Sequence, residues 1–231
     1  MLSRLGAFGE ISEISDYLYL SGVQPLRPDR IRQKKITCII NATIDEPSMY
    51  IPGVDTMKIR VDDSPYARLD AYFDLVSDRI KTVRDAGGKI LVHCVAGVSR
   101  SASLILAYLM RYERMSLRDA YYRVKGARPV IKPNYGFWSQ LVDYERKLFG
   151  RTSVKMVPTK FGESVPDVYG STDSGVTGRE VPSTYSLYRA PRRSVTVSMS
   201  SSLQRPGPKS TNSFFNSFSS FHNPDLLLPR F

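Results

Sequence analysis

The sequence predicts an α/β domain with helices packed on its sheet, followed by a disordered tail. Three observations carry this. Short apolar runs of strand character alternate with a helical periodicity early in the chain, and several helical stretches then follow one another between residues 101 and 148. Beyond Gly170 both periods stop, and Ser, Thr, Pro, Gly and Asn dominate.

In chain order, "DYLYLSG" and "ITCIINAT" read as strands, the second almost wholly apolar and therefore interior to a sheet. "DTMKIRVDD" reads as a third strand. Leu69, Tyr72, Phe73, Val76, Ile80 and Val83 recur at helical spacing, and Gly87 with Gly88 stops that helix. "KILVHC" is a fourth strand, short and central. Ser101 to Tyr112 is apolar almost all round, as a helix buried within a domain must be. Ser116 with Asp119 resembles a capping box for a helix facing inward through Leu117, Ala120, Tyr121 and Val124, which Pro129 ends. Asn134 caps a last helix carrying Phe137, Trp138, Leu141, Tyr144 and Leu148, with Gly150 at its end.

The 231 residues include 42% hydrophobic and 11% aromatic side chains, enough for one real core. The net charge of +11 fits nucleic acid, an acidic membrane or phosphoester substrates, and alone does not choose among them. The two cysteines, Cys38 and Cys94, lie in apolar runs and form no disulfide framework, which points to a reducing compartment, cytoplasmic and also nuclear. No apolar run approaches the roughly 18 residues of a membrane span, and the start lacks the features of a targeting segment.

The chemistry concentrates in "HCVAGVSRS", His93 to Ser101. A loop joining the carboxyl end of a strand to a helix N-terminus is where α/β proteins gather anions, because unpaired N–H groups and the helix dipole point outward there. Val95, Ala96, Gly97, Val98 and Ser99 are small or unobtrusive, so their N–H groups can form a nest around one phosphate. Arg100 adds a bidentate clamp. Cys94 sits at the floor, where a helix N-terminus and a cation favour its nucleophilic thiolate form. Ser101 can hydrogen-bond the sulfur and make it a better leaving group. The departing alcohol needs a proton, and Asp62 and Asp63 in "RVDDSPYARLD", at the end of the third strand, are the candidate donors; a strand's residues alternate in direction, so only one of the pair can face the pocket.

HCxxGxxRS resembles the active-site motif of the cysteine-dependent protein tyrosine phosphatases, and "HCVAGVSRSA" with "AYLM" resembles the dual-specificity branch. "VDDSPYARLDAYFD", "RPVIKPNYGFWSQLVDYERKLFG" and "VKMV" are similar to the small atypical dual-specificity phosphatases without a kinase-docking domain, so the resemblance spans about residues 10–170. It implies a protein tyrosine phosphatase-like central mixed sheet with helices on both sides. It further implies phosphotyrosine and phosphoserine/threonine protein substrates, a phosphocysteine intermediate, a shallow pocket and no cofactor. The acid position carries over to Asp63, with Asp62 in reserve. The expected organisation is an N-terminal segment (1–9), a catalytic domain (10–150), an ordered or partly ordered extension (151–170) and a disordered basic tail (171–231).

Around these residues other readings stand. His93 is expected as a buried imbedded support that holds the loop, with a general-base role as the alternative. Asn41 is expected either to brace the loop or to close its strand. Cys38 reads as a small core residue, or else as a thiol that bridges to Cys94. Two cysteines and two histidines at unsuitable spacing argue against a metal. A lipid or RNA-end phosphatase would share the chemistry, but phosphoinositide enzymes of this type tend to carry loop lysines where Val95 and Val98 stand. A silent phosphoprotein-binding module would have lost the nucleophile, acid or clamp, and none is lost. The basic clusters Arg27, Arg30, Arg32, Lys34, Lys35 and Arg123, Lys125, Arg128, Lys132 read as solvated faces that can steer acidic phosphoproteins, signalling kinases among them. No nucleic-acid recognition motif accompanies them. Phe214, Phe215, Phe218, Phe221 and "DLLLPRF" are a candidate docking motif in the tail.

Overall fold

The computed structural model of the protein describes residues 7–159 and 164–169. The expected tail (171–231) with its docking motif, and most of the segment 1–9, lie outside the described residues.

Five strands form one sheet: β1 (Ser12–Glu13), β2 (Leu18–Ser21), β3 (Cys38–Asn41), β4 (Asp55–Lys58) and β5 (Ile90–His93), in the order β1-β2-β5-β3-β4. All neighbours are parallel except the edge pair β1 and β2. Every residue of β2, β3 and β5 is buried. Their side chains alternate between two apolar clusters, as the period of a strand requires. Leu18, Leu20, Cys38, Ile40, Ile90 and Val92 enter one, and Tyr19, Ile39 and Leu91 the other.

The first cluster is closed by α2 (Phe73–Asp85), α3 (Arg100–Glu113), α4 (Leu117–Ala127) and α5 (Tyr135–Phe149). Among the described residues the opposite face carries only α1 (Pro28–Gln33), through Ile31, with Ile36 and Ile51. Helices therefore flank both sides, but unequally. Composition hid α1, because all but one of its residues are polar, charged or Pro and only Ile31 is buried. The caps lie where their side chains demand: Ser116 accepts the Asp119 N–H, Asn134 accepts the Phe137 N–H, and Gly150 ends α5 in the left-handed region.

Helix α3 matters most for the site. Residues Arg100 to Met110 are all buried. At roughly 1.5–3 kcal/mol for each large aliphatic side chain removed from water, Leu104, Ile105, Leu106 and Leu109 pin the helix, and with it the direction of its first turn at the end of β5.

Two expectations change. Strand β4 stops at Lys58, where Ile59 N–H still donates to Asn41 O before the chain departs, so Asp62 and Asp63 stand on a loop and strand alternation does not choose between them. Cys38 cannot bridge to Cys94. It pairs in register with Ile90, four residues before Cys94, which places the two about 13 Å apart along the strand direction. A disulfide needs Cα atoms within roughly 7 Å. Cys38 is a core residue whose thiol pKa is raised by burial.

Residues 151–159 and 164–169 pack onto α4 and α5. Strands β6 (Met156–Pro158) and β7 (Ser164–Pro166) pair antiparallel, Val154 and Val168 are buried, and Trp138 Nε1 donates to Tyr169 Oη at 2.7 Å. Buried Glu145 accepts the Leu117 N–H at 2.8 Å and the Ser153 N–H at 2.7 Å, joining the start of α4 to this segment. Among the described residues no helix is long and apolar enough to cross a membrane.

Candidate active site

The loop from Cys94 to Ser99 connects β5 to α3. The carbonyls of Val95 to Ser99 are all engaged from outside it. Val95 O accepts from Val23 N–H (2.9 Å), Ala96 O from Arg128 Nη2 (3.0 Å), Gly97 O from Arg128 Nε (2.8 Å), Val98 O from Lys132 N–H (2.9 Å) and Ser99 O from Ser103 N–H (2.9 Å). In a trans peptide the N–H points opposite to the C=O. The N–H groups of Ala96, Gly97, Val98, Ser99 and Arg100 are thereby turned to the inner side of the loop, forming an anion nest at a helix N-terminus.

The sulfur lies on that inner side. Gly97 N–H donates to Cys94 Sγ at 3.2 Å, and Ser101 Oγ–H donates to the same sulfur at 3.1 Å. Gly97 has φ +67°, and a Cβ there would lie 2.5 Å from the Ser21 carbonyl, so the bend needs glycine twice over.

Arg128 holds this loop from outside, a contact that sequence reasoning missed. It is fully buried, and besides its two loop carbonyls it donates from Nη1 to Glu10 O (3.3 Å) and Ser12 Oγ (3.1 Å). In the sequence it stood as one more member of a basic cluster. Its placement before Pro129, at the end of a helix with an apolar inner face, was the available signal.

Arg100, 7% exposed, opens α3 and donates from Nη1 to Val61 O at 3.2 Å. Its Nε lies 3.4 Å from Asp63 Oδ2, an ion-pair contact in which the N–H is not aligned on the oxygen. The other Asp63 oxygen, Oδ1, accepts from Asn134 Nδ2 at 3.0 Å. Asp62 instead turns back on the chain, its Oδ1 accepting the Asp63 N–H at 2.8 Å. The fold thus brings Cys94, Ser101, Arg100 and Asp63 together from two loops and one helix.

His93 is buried at the end of β5, with Nδ1 3.4 Å from Cys94 O. Burial pushes its pKa down to about 4, so the ring is neutral beside the loop. Asn41 corrects one expectation. Its side chain does not brace the Cys94 loop; Nδ2 donates to Glu46 O (3.0 Å) and Oδ1 accepts from Thr43 Oγ1 (2.6 Å), which orders the turn after β3. The reason is direction: the Asn41 backbone pairs with His93, while its side chain leaves toward its own following turn.

Such a floor nucleophile, amide nest, arginine clamp and adjacent carboxylate can bind a phosphoryl group and transfer it to sulfur. Comparison with known proteins agrees. Residues 18–147 match the family described as dual specificity phosphatase, catalytic domain. The chain is 48% identical over 165 residues to human dual specificity protein phosphatase 14, covering 71% of this chain and 83% of that protein. It is 42% identical over 160 residues to mouse dual specificity protein phosphatase 18, covering 69% and 85%. The crystal structure of human DUSP28 superposes with a TM-score of 0.58 at 34% identity, over 60% of this chain and 94% of that one. The chain belongs to the dual specificity phosphatases of the cysteine-based tyrosine phosphatase superfamily, enzymes that dephosphorylate phosphotyrosine and phosphoserine/threonine in proteins through a phosphocysteine.

Proposed function

We propose that Cys94 is the nucleophile, Arg100 and the N–H groups of residues 96–100 the phosphate cradle, Asp63 the proton donor and Ser101 the support of the sulfur. The Cys94 thiolate attacks phosphorus, forming an S–P bond as the P–O bond breaks, and Asp63 gives its proton to the departing oxygen. Asp63, now a carboxylate, takes a proton from the water that attacks phosphorus. The S–P bond breaks, its electron pair returns to sulfur, and the Ser101 hydroxyl stabilises the restored thiolate. Negative charge on the equatorial oxygens meets amides and Arg100 that are already oriented, so no metal is needed in the steps drawn.

The observation that supports this reading most directly is the pair of bonds from Gly97 N–H and Ser101 Oγ onto Cys94 Sγ. The choice of Asp63 over Asp62 is supported by the Arg100 and Asn134 contacts. The finer proposals, that phosphorylated signalling kinases are substrates and that the tail docks a partner, rest on the basic charge and on tail composition. A cytoplasmic or nuclear site of action rests on the reduced cysteines.

The test is turnover of a small aryl phosphate. Cys94→Ser should abolish it while retaining binding, and substantial residual turnover would remove Cys94 from its role. Asp63→Ala should slow it ~100-fold or more, the scale of general acid catalysis, and Asp62→Ala far less. The reverse order would transfer the role to Asp62.

A further inference from the structure

We infer that Asn134 is a positioning residue for the proton donor: it decides which oxygen of Asp63 carries the proton and ties that oxygen to the phosphate cradle. This rests on the reading of Asp63 as the acid.

Asn134 Oδ1 accepts the Phe137 N–H at 2.9 Å, the bond that makes it an N-cap. That bond fixes the amide orientation, because the oxygen is committed and the NH₂ must face the other way. It faces Asp63 Oδ1 at 3.0 Å. An amide N–H only donates, so Oδ1 must accept in either protonation state; a carbonyl oxygen accepts better than a hydroxyl oxygen, so the acidic hydrogen is favoured on Oδ2. Oδ2 is the oxygen beside Arg100, 3.4 Å from Nε. The charged groups against Asp63 are Arg100 and Asp62, the latter bonded to the Asp63 N–H.

Asn134 is fastened at its other end as well. Its backbone N–H donates to Ser99 Oγ at 3.1 Å, and two residues earlier Lys132 N–H holds Val98 O. One residue therefore touches the cradle through its backbone and the acid through its side chain. Gly136 extends the same seam: a Cβ there would lie 1.9 Å from Pro65 O, so the loop that carries Asp63 lies directly against the first turn of α5.

Leaving-group dependence separates this role from a general structural one. An acid matters for phenyl phosphate, whose phenolate leaves poorly, and much less for 2,4-dinitrophenyl phosphate, whose phenolate leaves without a proton. Asn134→Ser keeps an N-cap and the backbone bond to Ser99 but withdraws the donor to Asp63. In the full chain, kcat/KM for phenyl phosphate should fall roughly tenfold, part of the ~100-fold or more that an acid supplies, with a several-fold smaller loss for the dinitrophenyl ester. Asn134→Asp, which also caps, should show the same selectivity. In an Asp63→Ala background Asn134→Ser should add no further selectivity.

An equal loss on both esters, a selectivity that persists without Asp63, or no loss at all would overturn the inference while leaving Asp63 as the acid. If Asp63→Ala alone shows no preference for the better leaving group, the Asp63 reading itself fails, and this inference with it.

Discussion

The Arg128 guanidinium donates from Nε to the Gly97 carbonyl at 2.8 Å and from Nη2 to the Ala96 carbonyl at 3.0 Å, so a residue 31 positions further along the chain holds the outer side of the phosphate loop. Arg128→Lys keeps the charge but loses the planar fork that reaches two carbonyls at once. It should lower kcat/KM for an aryl phosphate by roughly tenfold or more, as small misplacements in a preorganised site do. Arg128→Met should also destabilise the fold, by about 1–3 kcal/mol for each buried carbonyl left unpaired. Steady-state kinetics and urea unfolding check the two effects separately, and wild-type kinetics in Arg128→Lys would show that the fork is dispensable.

Gly136→Ala inverts a usual rule. In a helix the change ordinarily stabilises by about 0.8–1 kcal/mol. Here the added methyl group meets the Pro65 carbonyl, so the loop bearing Asp63 must move. The expected outcome is a lower melting temperature together with a larger loss on phenyl phosphate than on an activated ester. A stabilised variant with unchanged selectivity would contradict the packing.

His93 makes stability depend on acid. Its folded pKa is about 4 against an ordinary 6.5, chiefly through burial. Above the ordinary value the ring is neutral in both states and nothing is lost. As pH falls from 6.5 toward 4 the unfolded chain takes up a proton that the folded chain refuses, so stability drops, by roughly 3 kcal/mol in total. Denaturant unfolding across this window should show a steep decline that His93→Gln flattens. Equal slopes in both proteins would assign the decline to other groups.

Oxidation should leave the two thiols apart. Peroxide that reaches Cys94 should give sulfenic and then sulfinic acid there. Tryptic mapping after peroxide treatment should recover no Cys38–Cys94 cross-link, because the sheet register separates them. Finding that bridge would mean that β3 and β5 separate on oxidation.

The parts legible in the sequence are those written locally. The loop from His93 to Ser101 carries the proposed nucleophile, nest, clamp and serine within nine consecutive residues, and Ser116, Asn134 and Gly150 mark helix ends through their own side chains or backbone freedom. The rest depends on contacts between distant residues. Arg128 meets Gly97 across 31 positions and Asn134 meets Asp63 across 71, and neither pair leaves a periodic trace. The edge strand β1 is two residues long, too short for alternation to show. The third strand reads longer in the sequence than it is, because Ile59 and Val61 continue to be buried beyond the strand's end at Lys58. Asn41 lies in a register that sequence spacing cannot supply.

The order in which the frame around Cys94 can be completed also follows. The motif is in place once residue 101 has been made, yet its carbonyls and Ser99 wait for Arg128, Lys132 and Asn134. A chain emerging from the ribosome therefore displays the nucleophile well before the cradle is locked, and Asp63, though made earlier than either, gains its amide partner only with residue 134. The frame on which the proposed turnover depends is thus complete only once the start of α5 has docked.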